Sequence, residues 1–192
     1  GIVGDDRIRK FILLSNAHDG PLAVRVGFTP VRVVCANTLA MAHQNGESQL
    51  IRLKHSKTVA ANLDSLRDVI NIANQSFEAT AEQYRALARR EINADDLRKY
   101  VKVVLGHEGT EDKDLSTRAS NQIADVVSLF ERGRGNDMTG VRGTVWAAYN
   151  AVTEYLSHEA GTSGDKRYDS LWFGGNAARN QLALTEALAL AA

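Results

Sequence analysis

KTVAANLDSLRDVINIANQSFEATAEQYRALARR, residues 57–90, is where the period of the chain changes, and that change decides the fold. Val59, Leu66, Ala73, Thr80 and Leu87 recur every seven residues. Leu63, Ile70, Phe77 and Tyr84 form a second series offset by four. Together they draw one apolar seam along an α-helix, broken only at Thr80. At roughly 1.5 Å per residue the helix would run about 45 Å. A seam of that length needs a packing partner along its whole course, either another helix of this chain or a second subunit.

Ahead of this helix, residues 7–55 favour a period of two. Arg7 to Asn16 (RIRKFILLSN) is β-prone, and Ala17-His18-Asp19-Gly20-Pro21 supplies a turn after it. Leu22 to Gly27 alternates, Pro30 is expected to interrupt or bend the path, and Val31 to Cys35 resumes it as a further strand. A short helix is expected from Asn37 to His43, then a turn at Asn45-Gly46 and a strand from Gln49 to His55.

Beyond residue 90 the signals are helical. Asn93 caps a segment from Ala94 to Leu105, which Gly106 ends. Ser116 opens a helix bearing Ile123, Val126, Val127 and Phe130, and Thr144 opens one bearing Val145, Tyr149, Val152 and Leu156. A glycine-rich loop, 161–175, precedes a final helix from Asn176 to Ala192. The fold class is therefore α+β: a small, mainly antiparallel sheet over 7–55, then a helical part with one long helix and three or four shorter ones. We read 1–192 as a single α+β domain, with a sheet subdomain over 1–56 and a helical subdomain over 57–192. The opening Gly-Ile-Val-Gly-Asp-Asp, with no methionine, is expected of the C-terminal portion of a longer protein.

Composition narrows the function classes. No run of 18 apolar residues occurs, so no membrane span is expected. No signal peptide is recognisable, and a cytoplasmic location is expected. A single cysteine, Cys35, rules out an internal disulfide and a Cys-x-x-Cys zinc pair. Twenty-three basic residues balance 23 acidic ones across the 192 residues, but unevenly. Residues 1–60 hold eight basic and four acidic groups, a balance of +4, which leaves −4 for the rest.

Within the strands the cations follow the alternation: Arg7 with Arg9, Arg25 and Arg32 opposite the valines, Arg52 with Lys54. If the strands share one sheet, five or six of these cations gather on the face away from the helices and attract a polyanion, above all a phosphodiester backbone. The plain alternative is a solvated sheet face, its cations paired with acids such as Asp64, Asp68, Glu78 or Glu82 of the long helix.

Other groups carry weaker signals. Tyr168, Trp172 and Phe173 lie near Lys166, Arg167 and Arg179, a combination that stacks bases and neutralises phosphates; Trp172 joins the candidate nucleic-acid-binding set. His18-Asp19 reads as turn chemistry, and the acidic loop from His107 to Asp114 lacks the spacing of a calcium loop. Cys35 alternates with Val31 and Val33 and reads as a small buried residue rather than a nucleophile. Gly133-Arg134-Gly135 and Gly174-Gly175-Asn176 match no phosphate-binding fingerprint. No catalytic residue, metal site or cofactor is assigned.

Val24 to Ala42 (VRVGFTPVRVVCANTLAMA) and Thr144 to His158 (TVWAAYNAVTEYLSH), with the Ser15 to Gly20 turn and the tail from Phe173 to Asn180, resemble one known family. It is the phage/plasmid-like proteins carried by prophages, plasmids and other mobile elements, a domain of unknown function. That resemblance brings no catalytic residues and implies a setting of DNA transactions. The expectation is a single-stranded-DNA-binding and annealing protein, acting as a homo-oligomer without a cofactor. The alternative is a non-enzymatic assembly or protein-interaction module working against a host system through its long helix. A metal-dependent nuclease using Asp19 and acids from the expected N-terminal part of the longer protein is a third possibility.

Overall fold

The computed structural model describes residues 2–15, 24–39, 50–53, 59–161, 166–167, 170–171 and 174–192. The expected turns at residues 17–21 and 45–46, most of the expected helix over 37–43, Lys54 and Trp172 lie outside them.

The α+β architecture is present. Four strands, β1 (Ile8–Ser15), β2 (Val24–Arg32), β3 (Asn37–Thr38) and β4 (Leu50–Leu53), form one antiparallel sheet. β2 is its centre: β1 pairs along its whole length, while β3 and β4 share its other edge.

Pro30 does not interrupt β2. Its carbonyl accepts from Leu39 N–H (2.9 Å), so the edge on which proline lacks a donor faces the interval between β3 and β4. The missing N–H breaks no bond to β1, and it prevents the β3 ladder from extending past Thr38. The strand expected over Val31 to Cys35 is therefore the end of β2 followed by a turn, Val33 to Ala36, in which Ala36 takes a left-handed φ of 56°. Asn37 and Thr38, expected to open a helix, form β3 instead.

The long helix, α1 (Val59–Arg89), packs against β2 and against the helices α4 (Val145–Glu154) and α5 (Gly175–Ala191) of the same chain. Phe77, Thr80, Tyr84 and Leu87 of its seam are buried, and Ala81 beside them. The other helices end where the caps predict. Asn93 Oδ1 accepts from Asp96 N–H (2.9 Å) at the start of α2 (Ala94–Leu105), and Gly106 closes it at φ 82°. Ser116 caps α3 (Thr117–Arg132), and Thr144 caps α4.

At the centre lies α4, every residue of which is buried. A helix hidden all round belongs inside a core, not on its surface. It continues into one π turn, Tyr155–Glu159, where Ala160 N–H reaches back to the Tyr155 carbonyl (2.8 Å). Trp146 and Tyr149 stack with Tyr84 of α1, the centroids 4.8 and 6.2 Å from the tyrosine. Ile8 of β1 packs against the same apolar cluster as the helices, and Leu39, next to β3, is part of it, so sheet and helices share a core. Among the described residues no helix is long and apolar enough to cross a membrane.

Candidate nucleic-acid interface

The inward face of the sheet is fixed by its contacts. Lys10 reaches α1, where its Nζ donates to Asn74 Oδ1 (2.6 Å) and lies 4.6 Å from the Phe77 ring centroid. The pairs Ile8↔Arg32 and Arg32↔Asn37 place Arg32 on that face too. Arg25 and Arg32 are seven residues apart on one continuous strand, so they fall on opposite faces. Two strands meeting at Pro30 would have allowed them a common face.

Arg32 is therefore no phosphate ligand. It is fully buried, and its Nε donates to both Asp6 oxygens, at 2.7 and 3.0 Å. Nη1 donates to the Arg134 carbonyl and to Asn136 Oδ1, both at 3.0 Å, and Nη2 to the Gly135 carbonyl at 2.9 Å. Trp146 Nε1 donates to the same Asp6 carboxylate (2.9 Å). A buried charge is tolerable only when paired and saturated in this way.

The loop from Gly133 to Asp137 thus offers carbonyls to a cation, and Glu154 takes its Arg134 N–H at 3.2 Å. A Cβ on Gly133 would lie 2.4 Å from the Leu129 carbonyl oxygen and 2.8 Å from Glu154 Oε2. Gly135, at φ 76°, packs so close to β2's turn that a Cβ would sit 2.7 Å from Val34 Cγ1.

Cys35 is buried as expected. Burial pushes its thiol pKa up, against the opposing pull of the Arg32 charge. His158 Nε2 donates to the Cys35 carbonyl (2.8 Å), which fixes the turn's backbone rather than activating its sulfur.

The outer face is different. Arg9 pairs with Val31, Phe11 with Thr29, Leu13 with Gly27 and Ser15 with Arg25; Arg25 in turn pairs with Arg52 of β4. Alternation puts the positions Arg9, Phe11, Leu13, Ser15, Arg25 and Arg52 on one face. Arg7, one step before β1 and in ladder contact with Val33 (2.8 Å), shares the parity of Arg9.

Arg7 and Arg9 are exposed, and neither has a carboxylate partner among the described residues. Of the candidate cations, Arg7, Arg9, Arg25 and Arg52 hold positions on this one face. Arg32 is excluded, and Lys54 and Trp172 lie outside the described residues.

Two acids of the helical part, Glu82 and Asp112, have partners of their own. Glu82 pairs with Arg89 and Arg85 of its own helix (both 2.9 Å), and those guanidiniums hold its carboxyl below the usual range. In the acidic loop Asp112 pairs with Arg98 (3.0 Å) and Lys102 (3.3 Å), which lower its pKa likewise.

Phe11, 49% exposed in the middle of the outer face, carries no signal in the alternation. The run Phe11-Ile12-Leu13-Leu14 is apolar at both parities. The usable signal is that such a run, in a sheet covered on one face, must expose one parity.

No curated protein and no solved structure matches the chain. The family Domain of unknown function (DUF932) matches it over residues 1–181, and the chain belongs to that family.

Proposed function

We propose that this chain is a phage- or plasmid-encoded protein that binds and anneals single-stranded DNA, using the outer face of its sheet. The observation that carries the reading is the sorting of the arginines. Arg32 is consumed inside by Asp6, whereas Arg7 and Arg9 stand exposed on the face to which register also assigns Arg25 and Arg52. A phosphodiester chain supplies a line of anions to such a face, and its binding releases counterions. No covalent step and no cofactor is invoked. The resemblance to mobile-element proteins points the same way, and architecture adds an analogy: recombination proteins that anneal single strands also combine a small sheet with helices in an oligomer.

The test is filter binding of labelled oligothymidylate by the full chain at low and at raised salt. Binding at low salt that falls steeply as salt rises is the expected result. Absence of binding at low salt overturns the proposal. Light scattering on the same samples reads the homo-oligomer that annealing implies; a monomer would remove annealing while leaving binding.

A further inference from the structure

We infer that Phe11 is a base-stacking platform at the centre of this interface, so that the face selects a single strand over a duplex. The inference rests on the reading of the outer face as a nucleic-acid interface and adds what part of the polymer is read there.

A single exposed apolar side chain needs no explanation by itself. The surroundings of Phe11 distinguish it. It stands on the same face as Arg9, two residues earlier, with the Arg25↔Arg52 pair beyond it. The positions between are short or apolar: Thr29 opposite Phe11, and Gly27 between Leu13 and Leu50. From Arg25 to Val31, the neighbour of Arg9, the strand covers about 20 Å.

Register thus sets arginine positions at both ends of this face, with the exposed Phe11 between them. A duplex offers no free base face to such a ring, because its bases are stacked and paired inside. A single strand can set phosphates on the arginines and lay a base on the ring. The neighbouring ring contact sharpens the contrast. Lys10, on the inward face, already lies over Phe77, and Phe77 is buried. Among the described residues no ring or cation covers Phe11.

The experiment compares three probes on the full chain at one low salt concentration: oligothymidylate, an abasic deoxyribose-phosphate oligomer of equal length, and a duplex. The variants are Phe11→Ala, Phe11→Leu and Phe11→Trp; as the side chain is half exposed, all should fold, which the thermal midpoint checks. Phe11→Ala and Phe11→Leu should each weaken oligothymidylate binding about tenfold, the loss of one stacked base. Their affinity for the abasic oligomer should not change. Phe11→Trp should retain tight binding, with indole fluorescence quenched on adding oligothymidylate and not on adding the abasic oligomer.

Equal affinity of the wild type and Phe11→Ala for oligothymidylate overturns the stacking role while leaving the arginine face intact. Equal losses on both probes also overturn it, since the ring would then act through the backbone contacts. If the wild type binds anionic lipid vesicles and none of the three probes, the interface reading itself falls.

Discussion

The two faces of one small sheet use arginine in opposite ways. On the inward face Arg32 is fully buried, ion-paired to Asp6 and bonded to two loop carbonyls and Asn136. On the outward face Arg7 and Arg9 are exposed and have no carboxylate partner among the described residues. A count of cations per segment cannot separate these roles. Strand parity can, and parity depends on whether β2 is one strand or two. The inward arginine joins the segment at Asp6, strand β2 and the loop after α3 to α4. The outward ones make no ion pair with a carboxylate among the described residues.

The largest expected effect belongs to the inward face. Asp6→Ala removes the counter-charge of a buried guanidinium and the acceptor of Trp146 Nε1. It should lower unfolding free energy by about 3–5 kcal/mol. Denaturant titration measures it, and a loss near zero would mean the pair is not a keystone. In a double-mutant cycle with Arg32→Met the two losses should be far from additive.

Gly135→Ala comes next. A side chain there has the wrong φ and meets Val34 at 2.7 Å, so about 1–3 kcal/mol should be lost, read by the same titration.

Cys35 gives a pH arm to the contrast. Its folded pKa is raised by burial, so the unfolded thiol ionises first. Its contribution is therefore whole below the ordinary thiol pKa and declines as pH rises through and above it. At neutral pH a thiol reagent should modify the native protein far more slowly than the denatured one; equal rates would place the sulfur at the surface.

Outside both faces, Ser116→Ala should cost about 1 kcal/mol by uncapping α3. The smallest effect on stability belongs to the outer face: Arg7→Ala with Arg9→Ala should leave it within about 0.5 kcal/mol.

The helices were legible because their signals are local. Asn93, Ser116 and Thr144 each cap the helix they precede, and the seam of α1 is buried where it is described. The sheet was legible only in part. Pro30 reads as a break, and whether it breaks anything depends on which edge of the strand its missing N–H faces, a property of neighbours distant in sequence. The destination of Arg32 was hidden for the same reason: its partners lie 26 residues upstream, at Asp6, and 102 to 104 residues downstream, from Arg134 to Asn136. The loop from Gly133 to Asp137 reads as a plain glycine-rich connection until a guanidinium is seen inside it. That Arg9, Arg25 and Arg52 share one parity was legible because alternation within a single strand, and register across a pair, are short-range rules.

The most direct test of the division between faces is the slope of log affinity against log salt for oligothymidylate, measured for the wild type and for the Arg7→Ala, Arg9→Ala double variant. Each phosphate contact to a single strand contributes about 0.7 to that slope. The account predicts a slope shallower by about 1.4 in the variant, with an unchanged unfolding midpoint. An identical slope in the two proteins, or an unfolding midpoint that collapses with the substitutions, would contradict it.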